Sequence, residues 1–467
     1  MFAIWGVRFL TVLLNNGQPN ITIHADLNWH VLAVAAALSL LTGVLFGLAP
    51  ALQSTRVDLI TALKEARASQ PQNERRSFWK VGLTHVLVVS QIAVSLLMLV
   101  AAGLFVRTLG NLESIELGFN RENVLLFQLD ARQAGHTDPE ISAFYGDLRK
   151  QFTMIPGVRS ASLSESSLIG AGTGYPINVP GKPPNPANRL LRAGPNFFRT
   201  MQIPILAGRD LDERDGPSSP KVAVINEAFV KANLGDTNPL GQHLLLEGKK
   251  GRRDMEIVGV TKDARYGGLK ETIPPVVYLP YDQGFPEPLS MVYELRTGGD
   301  PLAYVNTVRD IVRRADSRVP LSNVVTQTAE IDQTINQEIV FAELCSTFAA
   351  LALIISCVGL YGTVSHNVAR RTGEIGIRMA LGAQRRAVVW MVLRDVMVLA
   401  AIGLAISVPA ALGSSKLFES FLYGMKPNDP GALTAAVAIL LGAAILASYV
   451  PARRASRIDP MIALRNE

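Results

Sequence analysis

The chain has 467 residues, of which 48% are hydrophobic and only 18% are charged, and its mean hydropathy is positive. This composition is too apolar for an ordinary soluble protein of this length, and it excludes a disordered chain and a nucleic-acid scaffold. The net charge of +6 leaves no surplus for a nucleic-acid-binding face, because three basic segments beside apolar runs already hold fifteen Lys and Arg against six acidic residues.

The apolar residues are concentrated in five runs without Asp, Glu, Lys or Arg. These runs contain 29, 26, 26, 20 and 23 residues, in chain order 27–55, 81–106, 344–369, 396–415 and 430–452. A helix of about 20 apolar residues spans the hydrocarbon core of a bilayer. The sequence therefore predicts five transmembrane helices and one large domain outside the membrane. Their predicted bounds are 31–52, 81–107, 344–365, 388–412 and 431–451 for the helices and 108–340 for the domain.

Basic residues flank these runs on one side of the membrane. Segments 53–80 and 366–387 and the tail after Ala452 are rich in Lys and Arg, whereas 15–29 have none and 413–431 have two. The positive-inside rule places the basic segments and the C-terminus in the cytoplasm and the large domain outside the cell or in the periplasm. We therefore expect a multi-pass protein of the inner (plasma) membrane whose basic segments meet anionic membrane lipids.

A short repeat relates the ends of the first and last apolar runs. The segment PALQSTRVDLITALK begins at Pro50, and PARRASRIDPMIALR begins at Pro451. The positions that match are Pro50, Arg56, Asp58 and Leu63 in the first copy and Pro451, Arg457, Asp459 and Leu464 in the second. The repeat predicts that residues 1–65 are the remnant of a first membrane unit, and that a cytoplasmic linker over 66–80 joins it to a second unit.

The second copy also predicts how the last span ends. Pro451 should stop the membrane helix, and Ser456 or Asp459 could cap a short amphipathic helix over 461–464. A solvated basic tail is the alternative that the sequence leaves open.

The cytoplasmic segment over 369–395 has apolar residues four positions apart, which predicts a short amphipathic helix on the inner surface. The apolar pairs are Ile375 with Met379 and Ile377 with Leu381, and the polar face comprises Glu374, Arg378, Arg385 and Arg386. Gly376 and Gly382 have no side chain, which would let the surface of another protein approach the backbone. On periodicity alone, an ordinary positive-inside loop fits equally well.

The same segment resembles a known family. It is similar to the ATPase-coupling segment of the MacB/FtsX-like ABC transporter permeases, and the residues that carry the likeness are Glu374, Ile375, Gly376, Ile377, Arg378, Met379, Ala380, Leu381, Gly382 and Ala383. The tail repeat resembles the same family's C-terminal end, so that 341–467 would be an FtsX-like permease domain. Stretches 197–215, 222–242 and 257–281 resemble its MacB-like periplasmic core domain.

The resemblance implies a permease that pairs with a cytosolic ABC ATPase, with a second permease copy as a dimer, and with a periplasmic adaptor. ATP hydrolysis by the partner would move the periplasmic domain and drive efflux, a mechanism called mechanotransmission. Fused relatives carry two complete four-span units, so the chain would be N-terminally truncated relative to them. A non-transporting regulator of a periplasmic or cell-wall enzyme, and an inactive truncated permease, are the alternatives.

The large domain has alternating strand and helix patterns. They predict two β-α-β units, over 124–164 and 291–326, which flank an inserted region over about 170–285 with short strands at 222–225 and 256–260. The predicted fold class is therefore membrane α-helical with a large α+β extracytoplasmic domain.

Motifs for catalysis and metal binding are absent from the sequence. It has no P-loop motif, and its six histidines are isolated. Cys345 and Cys357 would lie about 18 Å apart along one helix, beyond the reach of a disulfide. We expect no enzyme activity, no metal and no cofactor, with ATP bound by the partner subunit. The large domain shows no evident ligand pocket, so the substrate stays open.

Overall fold

The structure is a computed structural model. It describes residues 29–30, 33–34, 36–37, 39–40, 83–170, 173–174, 177–180, 185–248, 251–283, 290–414, 422–425 and 429–457. The helices are α1 Leu83–Glu113, α2 Asp138–Thr153, α3 Phe197–Met201, α4 Glu227–Phe229, α5 Val305–Ala315, α6 Gln327–Thr334, α7 Asn336–Arg370, α8 Thr372–Ala380, α9 Arg385–Ser414 and α10 Pro430–Ala455. The strands are β1 Val124–Leu129, β2 Val158–Ser164, β3 Thr173–Gly174, β4 Ile177–Asn178, β5 Arg189–Ala193, β6 Ile205–Gly208, β7 Val222–Asn226, β8 His243–Gly248, β9 Gly251–Thr261, β10 Val276–Pro280, β11 Met291–Thr297 and β12 Leu321–Thr326.

The chain divides into two compact units. The membrane unit comprises Met1–Val106, Val340–Leu422 and Lys426–Glu467, and the outer unit comprises Arg107–Ile339 and Tyr423–Met425.

Four helices in the described part of the chain are long and apolar enough to cross a membrane. They are Val86–Glu113, Asn336–Arg370, Arg385–Ser414 and Pro430–Ala455. The predicted first span over 31–52 falls mostly outside the described residues, so the count of five spans stays a prediction.

Helix α1 makes close contacts with its neighbours in the membrane unit. The buried Ser95 hydroxyl donates a 3.1 Å hydrogen bond to the Ala352 carbonyl of α7. A Cβ added at Gly403 of α9 would lie only 2.6 Å from Ile92 Cγ2, so this position has no room for a side chain. Small residues and interhelical hydrogen bonds of this kind are typical of membrane bundles.

The end of α10 differs from the prediction. The helix continues to Ala455 with Pro451 buried inside it, so the expectation that Pro451 stops the helix is wrong. A proline removes one backbone hydrogen bond, a loss that neighbouring groups in a membrane bundle can offset. Ser456 follows the helix, and its hydroxyl donates to the Arg453 carbonyl at 2.9 Å. The predicted short helix after it lies outside the described residues. The other predicted repeat residues lie outside the described part of the chain: Pro50, Arg56, Asp58, Leu63, Asp459 and Leu464.

The outer unit is built on one mixed sheet. Its strand order is β12-β1-β11-β2-β5-β10-β7-β9-β8-β4, with β3 beside β5 and β6 beside β9. Both predicted β-α-β units are present, as β1-α2-β2 and β11-α5-β12, and their strands interleave in the order β12-β1-β11-β2. This is the split β-α-β arrangement of ferredoxin-like folds.

The sequence of β1 does not alternate between apolar and polar residues, and its position in the sheet explains why. Its side chains point to opposite faces in turn, and both faces are covered. Leu125 and Phe127 pack in the core under α2 and α5. Val124 and Leu126 pack in a second core with Ile331 of α6 and with residues of α3 and the inserted region.

The inserted region lies between β2 and β11. It contains the two predicted strands, observed as Val222–Asn226 and Gly251–Thr261, and has a core of its own beneath β7, β9 and β10. Along the sheet it joins the β12-β1-β11-β2 part through one ladder pair, Ser164 with Ala193.

Candidate functional site

The helix α8 lies between the two long helices α7 and α9 and ends in a tight turn. Gly382 has a φ of +91°, a left-handed conformation that favours glycine. The Gly382 amide donates to the Met379 carbonyl, and the Ala383 amide donates to the Arg378 carbonyl. Glycine at this position therefore closes α8 and turns the chain toward α9.

The turn corrects one part of the prediction. Arg385 and Arg386 begin α9, so they do not belong to the polar face of α8 as expected. Gly376 is buried within its own chain, so the expectation that it leaves room for another protein is wrong. Gly382, in contrast, is exposed.

One apolar side chain anchors α8 to the membrane unit. Ile375 is only 1% exposed and packs in a cluster with Val388 of α9 and Ala455 of α10. Val368, Met379 and Met391 surround this cluster as partly buried neighbours. Side chains of three different helices, α8, α9 and α10, therefore meet in the cluster at Ile375.

The opposite side of α8 presents apolar surface to the exterior. Ile377 is 47% exposed and Leu381 is 83% exposed. Ala380 is exposed as well, and Ala383 is partly buried. The two predicted apolar pairs therefore face different ways, since Ile375 points inward. We call the exposed set Ile377, Ala380 and Leu381 the apolar edge of α8.

Two arginine side chains lie on or next to α8. Arg371 forms a 3.2 Å ion pair with Asp395, across the α7 and α9 ends. Arg378 is exposed, and its Nη1 lies 2.9 Å from Met391 Sδ. Exposed guanidinium groups beside exposed apolar side chains suit a partner surface that carries both acidic and apolar groups.

The structure brings the predicted segment together with the end of the tail repeat. Ala455, which contacts Ile375, lies between the repeat residues Pro451 and Arg457, and Arg457 is exposed. Sequence reasoning did not find Val388 and Ala455, because a contact between distant segments leaves no periodic signal in either one. Glu374 lies within α8.

The outer unit contains a cleft, which corrects the expectation that no pocket is evident. Its volume is about 540 Å³. Apolar side chains such as Leu112, Leu269 and Ile335 line it, and Arg121 and Lys262 contribute charged groups. Among the described residues, no group of three or more His, Cys, Asp or Glu could hold a metal ion.

Two family descriptions match the chain. Residues 86–327 match the MacB-like periplasmic core domain, and residues 346–460 match the FtsX-like permease C-terminal family. The first match alone covers more than half of the chain. The chain belongs to the MacB/FtsX-like family of ABC transporter permeases.

Individual members of this family are similar at moderate identity. A macrolide export ATP-binding/permease protein MacB from Agrobacterium fabrum is 28% identical over 284 residues, which cover 59% of this chain and 43% of that protein. A pyoverdine export ATP-binding/permease protein PvdT from Pseudomonas syringae is 26% identical over 287 residues, which cover 58% of this chain and 42% of that protein. The MacB/FtsX-like chain thus spans less than half the length of these relatives.

A solved structure of the same family also aligns with the chain. It is the periplasmic region of MacB from Actinobacillus actinomycetemcomitans, with 17% sequence identity and a TM-score of 0.32 over 49% of this chain and 97% of that one. The family match and the four apolar helices fit an inner-membrane permease with a MacB-like periplasmic core domain.

Proposed function

We propose that this chain is the permease of an ABC exporter, and that a cytosolic ABC ATPase binds the apolar edge of α8. The apolar edge is the observation that supports the proposal. Most of the surface of Leu381 is exposed, whereas Ile375, six residues earlier on the same segment, is buried and anchors the segment. Exposed apolar side chains on a firmly anchored helix are typical of protein interfaces. ATP is bound by the partner and not by this chain.

The anchor of α8 supports the mechanical part of the proposal. ATP-driven movement of the partner shifts α8, and Ile375 passes the shift to α9 and α10. Helix α7 runs without interruption from Asn336 to Arg370, and Lys270 holds its first turn through Glu338 in the outer unit. The periplasmic domain therefore moves when α8 moves, and export follows from that movement.

The proposal extends to the assembly. Two permease copies act with two ATPase copies and a periplasmic adaptor, the C-terminus faces the cytoplasm, and the exported substrate is an organic small molecule. Support for the substrate class comes from the names of the relatives, which are exporters of macrolides and of pyoverdine.

A single substitution on the apolar edge tests the proposal. Leu381→Asp should weaken binding of the ATPase that co-purifies with the wild-type chain by at least about tenfold, because a buried apolar anchor at an interface contributes about 2 kcal/mol or more. Binding is measured by pull-down and by titration in detergent. The matched control is Leu302→Asp, since Leu302 is also a leucine with more than half of its surface exposed, and it lies in the outer unit.

The outcomes separate the candidate functions. Unchanged ATPase binding in Leu381→Asp would contradict docking at α8. If docking holds, substrate-stimulated ATP turnover in proteoliposomes supports export. Turnover that responds to a periplasmic enzyme, and to no small molecule, supports the regulator alternative instead.

A further inference from the structure

One buried and one partly buried glutamate side chain lie in the outer unit. Glu294 lies on β11 with 2% of its surface exposed, and Glu330 lies on α6. Each contacts one serine hydroxyl: Ser164 for Glu294, and Ser167 for Glu330 at 2.7 Å. Both carboxyl groups lie outside the membrane-spanning segments.

The number of hydrogen-bond donors at these serines bears on the protonation state of the two carboxyl groups. The Ser164 oxygen lies 2.8 Å from the Ser166 carbonyl as well as beside Glu294. A serine has one hydroxyl proton, and a backbone carbonyl can only accept. If Ser164 donates to Ser166, its contact with Glu294 is attractive only when the carboxyl carries a proton and donates it to the serine oxygen.

The second serine repeats this arrangement. The Ser167 oxygen lies 2.7 Å from the Ile169 carbonyl and 2.7 Å from Glu330 Oε1. If Ser167 donates to Ile169, the same count of donors favours a proton on Glu330. Two independent sites thus form the same chain, from carboxylic acid to serine to backbone carbonyl.

The other side-chain oxygens of Glu294, Glu330 and Gln327 also favour protonated carboxyl groups. Glu294 Oε2 and Gln327 Oε1 are buried and have no hydrogen-bond partner. The other oxygen of Glu330 has a weak contact, at 3.4 Å, with the Gln327 amide. A buried carboxylate with an unsatisfied oxygen is far more costly than a buried neutral acid.

In the described part of the chain, charged groups on neighbouring elements have partners other than these two carboxyl groups. Arg192 of β5 forms an ion pair with Glu165, and Lys270 forms one with Glu338. The guanidinium of Arg296, on the same strand as Glu294, donates to the backbone carbonyls of Asn120, Glu122 and Thr200. On α6 itself, burial raises the pKa of Asp332, the charge of Arg121 lowers it, and the charge of Glu113 raises it.

We propose that Glu294 and Glu330 form a proton-binding site of the outer unit, and that their protons hold α6 against the sheet. Helix α6, which carries Glu330, ends at Thr334, and α7 begins at Asn336. When both carboxyl groups ionise, the buried Glu294 Oε2 carries charge without a hydrogen-bond donor, and the two charges repel each other. Helix α6, which Glu330 joins to the segment after β2 through Ser167, then separates from that segment.

Burial gives the expected direction of the titration. It raises the pKa of Glu294 to about 8 and that of Glu330 to about 7, from an ordinary value of 4.5. The folded chain therefore binds more protons than the unfolded chain between pH 4.5 and these values. Stability should be highest below this window, fall as the pH rises through it, and stay constant above it.

Infrared spectroscopy of the full chain in lipid nanodiscs tests for the protons. At about pH 6 the wild type should show the C=O stretch of a carboxylic acid, which the double variant Glu294→Gln, Glu330→Gln lacks and which fades toward about pH 9. The matched control is Glu256→Gln, because Glu256 is an exposed glutamate on β9. An acid band that is equal in the wild type and the double variant overturns the proposal.

Hydrogen exchange of the α6 amides tests the structural consequence. The glutamine amide can donate to the serine as the acid does but cannot ionise, so the double variant should fold. At about pH 9 the α6 amides should exchange at least about tenfold faster in the wild type than in the double variant, and at about pH 5 equally fast. Equal exchange at both pH values shows that the protons do not hold α6 and overturns the proposal. Neither measurement involves the ATPase, so failure here is distinct from failure of docking at α8.

Discussion

The two faces of the β12-β1-β11-β2 part of the sheet are stabilised in different ways. On the face toward α2 and α5, Phe127 stacks on Tyr293 with ring centroids 5.3 Å apart, and Phe152 contacts both rings edge-on. The Tyr293 hydroxyl donates to the Tyr145 carbonyl at 2.8 Å. Burial raises the pKa of both Tyr145 and Tyr293 above the ordinary value of 10, so these two hydroxyls stay protonated near neutral pH.

The face toward α3 and α6 buries charged and polar groups among apolar ones. Glu294 and Arg296 alternate with Tyr293 and Leu295 along β11, so one strand serves both faces. The difference shows that one face supplies constant stability, whereas the stability of the polar face depends on protons and on complete hydrogen bonding. Substitutions on the two faces should therefore have different sizes and different pH dependence.

The largest expected effect lies on the aromatic face. Phe127→Ala removes the ring that contacts both Tyr293 and Phe152, and it should lower the free energy of unfolding by about 3–5 kcal/mol, independently of pH. Phe127→Leu keeps most of the volume and should lose about 1–2 kcal/mol. Thermal and denaturant unfolding of the full chain in detergent give these values. A loss for Phe127→Ala that changes with pH would contradict the contrast between the faces.

A smaller effect is expected for the arginine of the polar face. Arg296→Met leaves the carbonyls of Asn120, Glu122 and Thr200 without their donor, and it should cost about 2–4 kcal/mol. The same unfolding measurement checks it. Arg318→Met is the control, because Arg318 is an exposed residue paired with Asp316 and should change stability by no more than about 1 kcal/mol. Equal losses in both variants would count against the role of Arg296.

The smallest effect concerns the start of α7. Lys270→Met removes the partner of Glu338, whose side chain is buried and whose Oε2 has no hydrogen bond. The lysine itself is partly exposed, so the loss should be only about 1–2 kcal/mol. Lys270→Arg keeps the charge and should recover most of it. If the methionine variant is as stable as the wild type, Glu338 does not depend on this pair.

Much of the fold could be predicted from the sequence. The uncharged runs predict the membrane helices, because length and lack of charge suffice for that inference. Strand β1 and helix α2 were predicted because both have strong local patterns. The periodicity of α8 fitted a helix and an ordinary loop equally well, and the structure has the helix. Its end was not predicted, because the turn at Gly382 depends on one backbone conformation.

The polar face could not be predicted. Val292, Glu294 and Arg296 alternate with apolar residues along β11, a pattern typical of a strand with one solvated face. Helices α3 and α6 cover that face from other parts of the chain, α3 over β11 and α6 over β1 and β12. The sequence of α6 has few apolar residues. Likewise, a proline inside α10 contradicts the local rule, and packing in the bundle overrides it. Long-range contacts decided each of these cases.

The attachment of the inserted region has a consequence for how such domains can vary. Strands β2 and β11 are antiparallel neighbours with Ser164 opposite Val292, so the chain leaves and re-enters the sheet at adjacent positions. The inserted region therefore does not change the path of the chain through the β12-β1-β11-β2 part of the sheet. An unrelated domain whose termini lie equally close together could replace it, provided that the new domain supplies an apolar surface for Leu126.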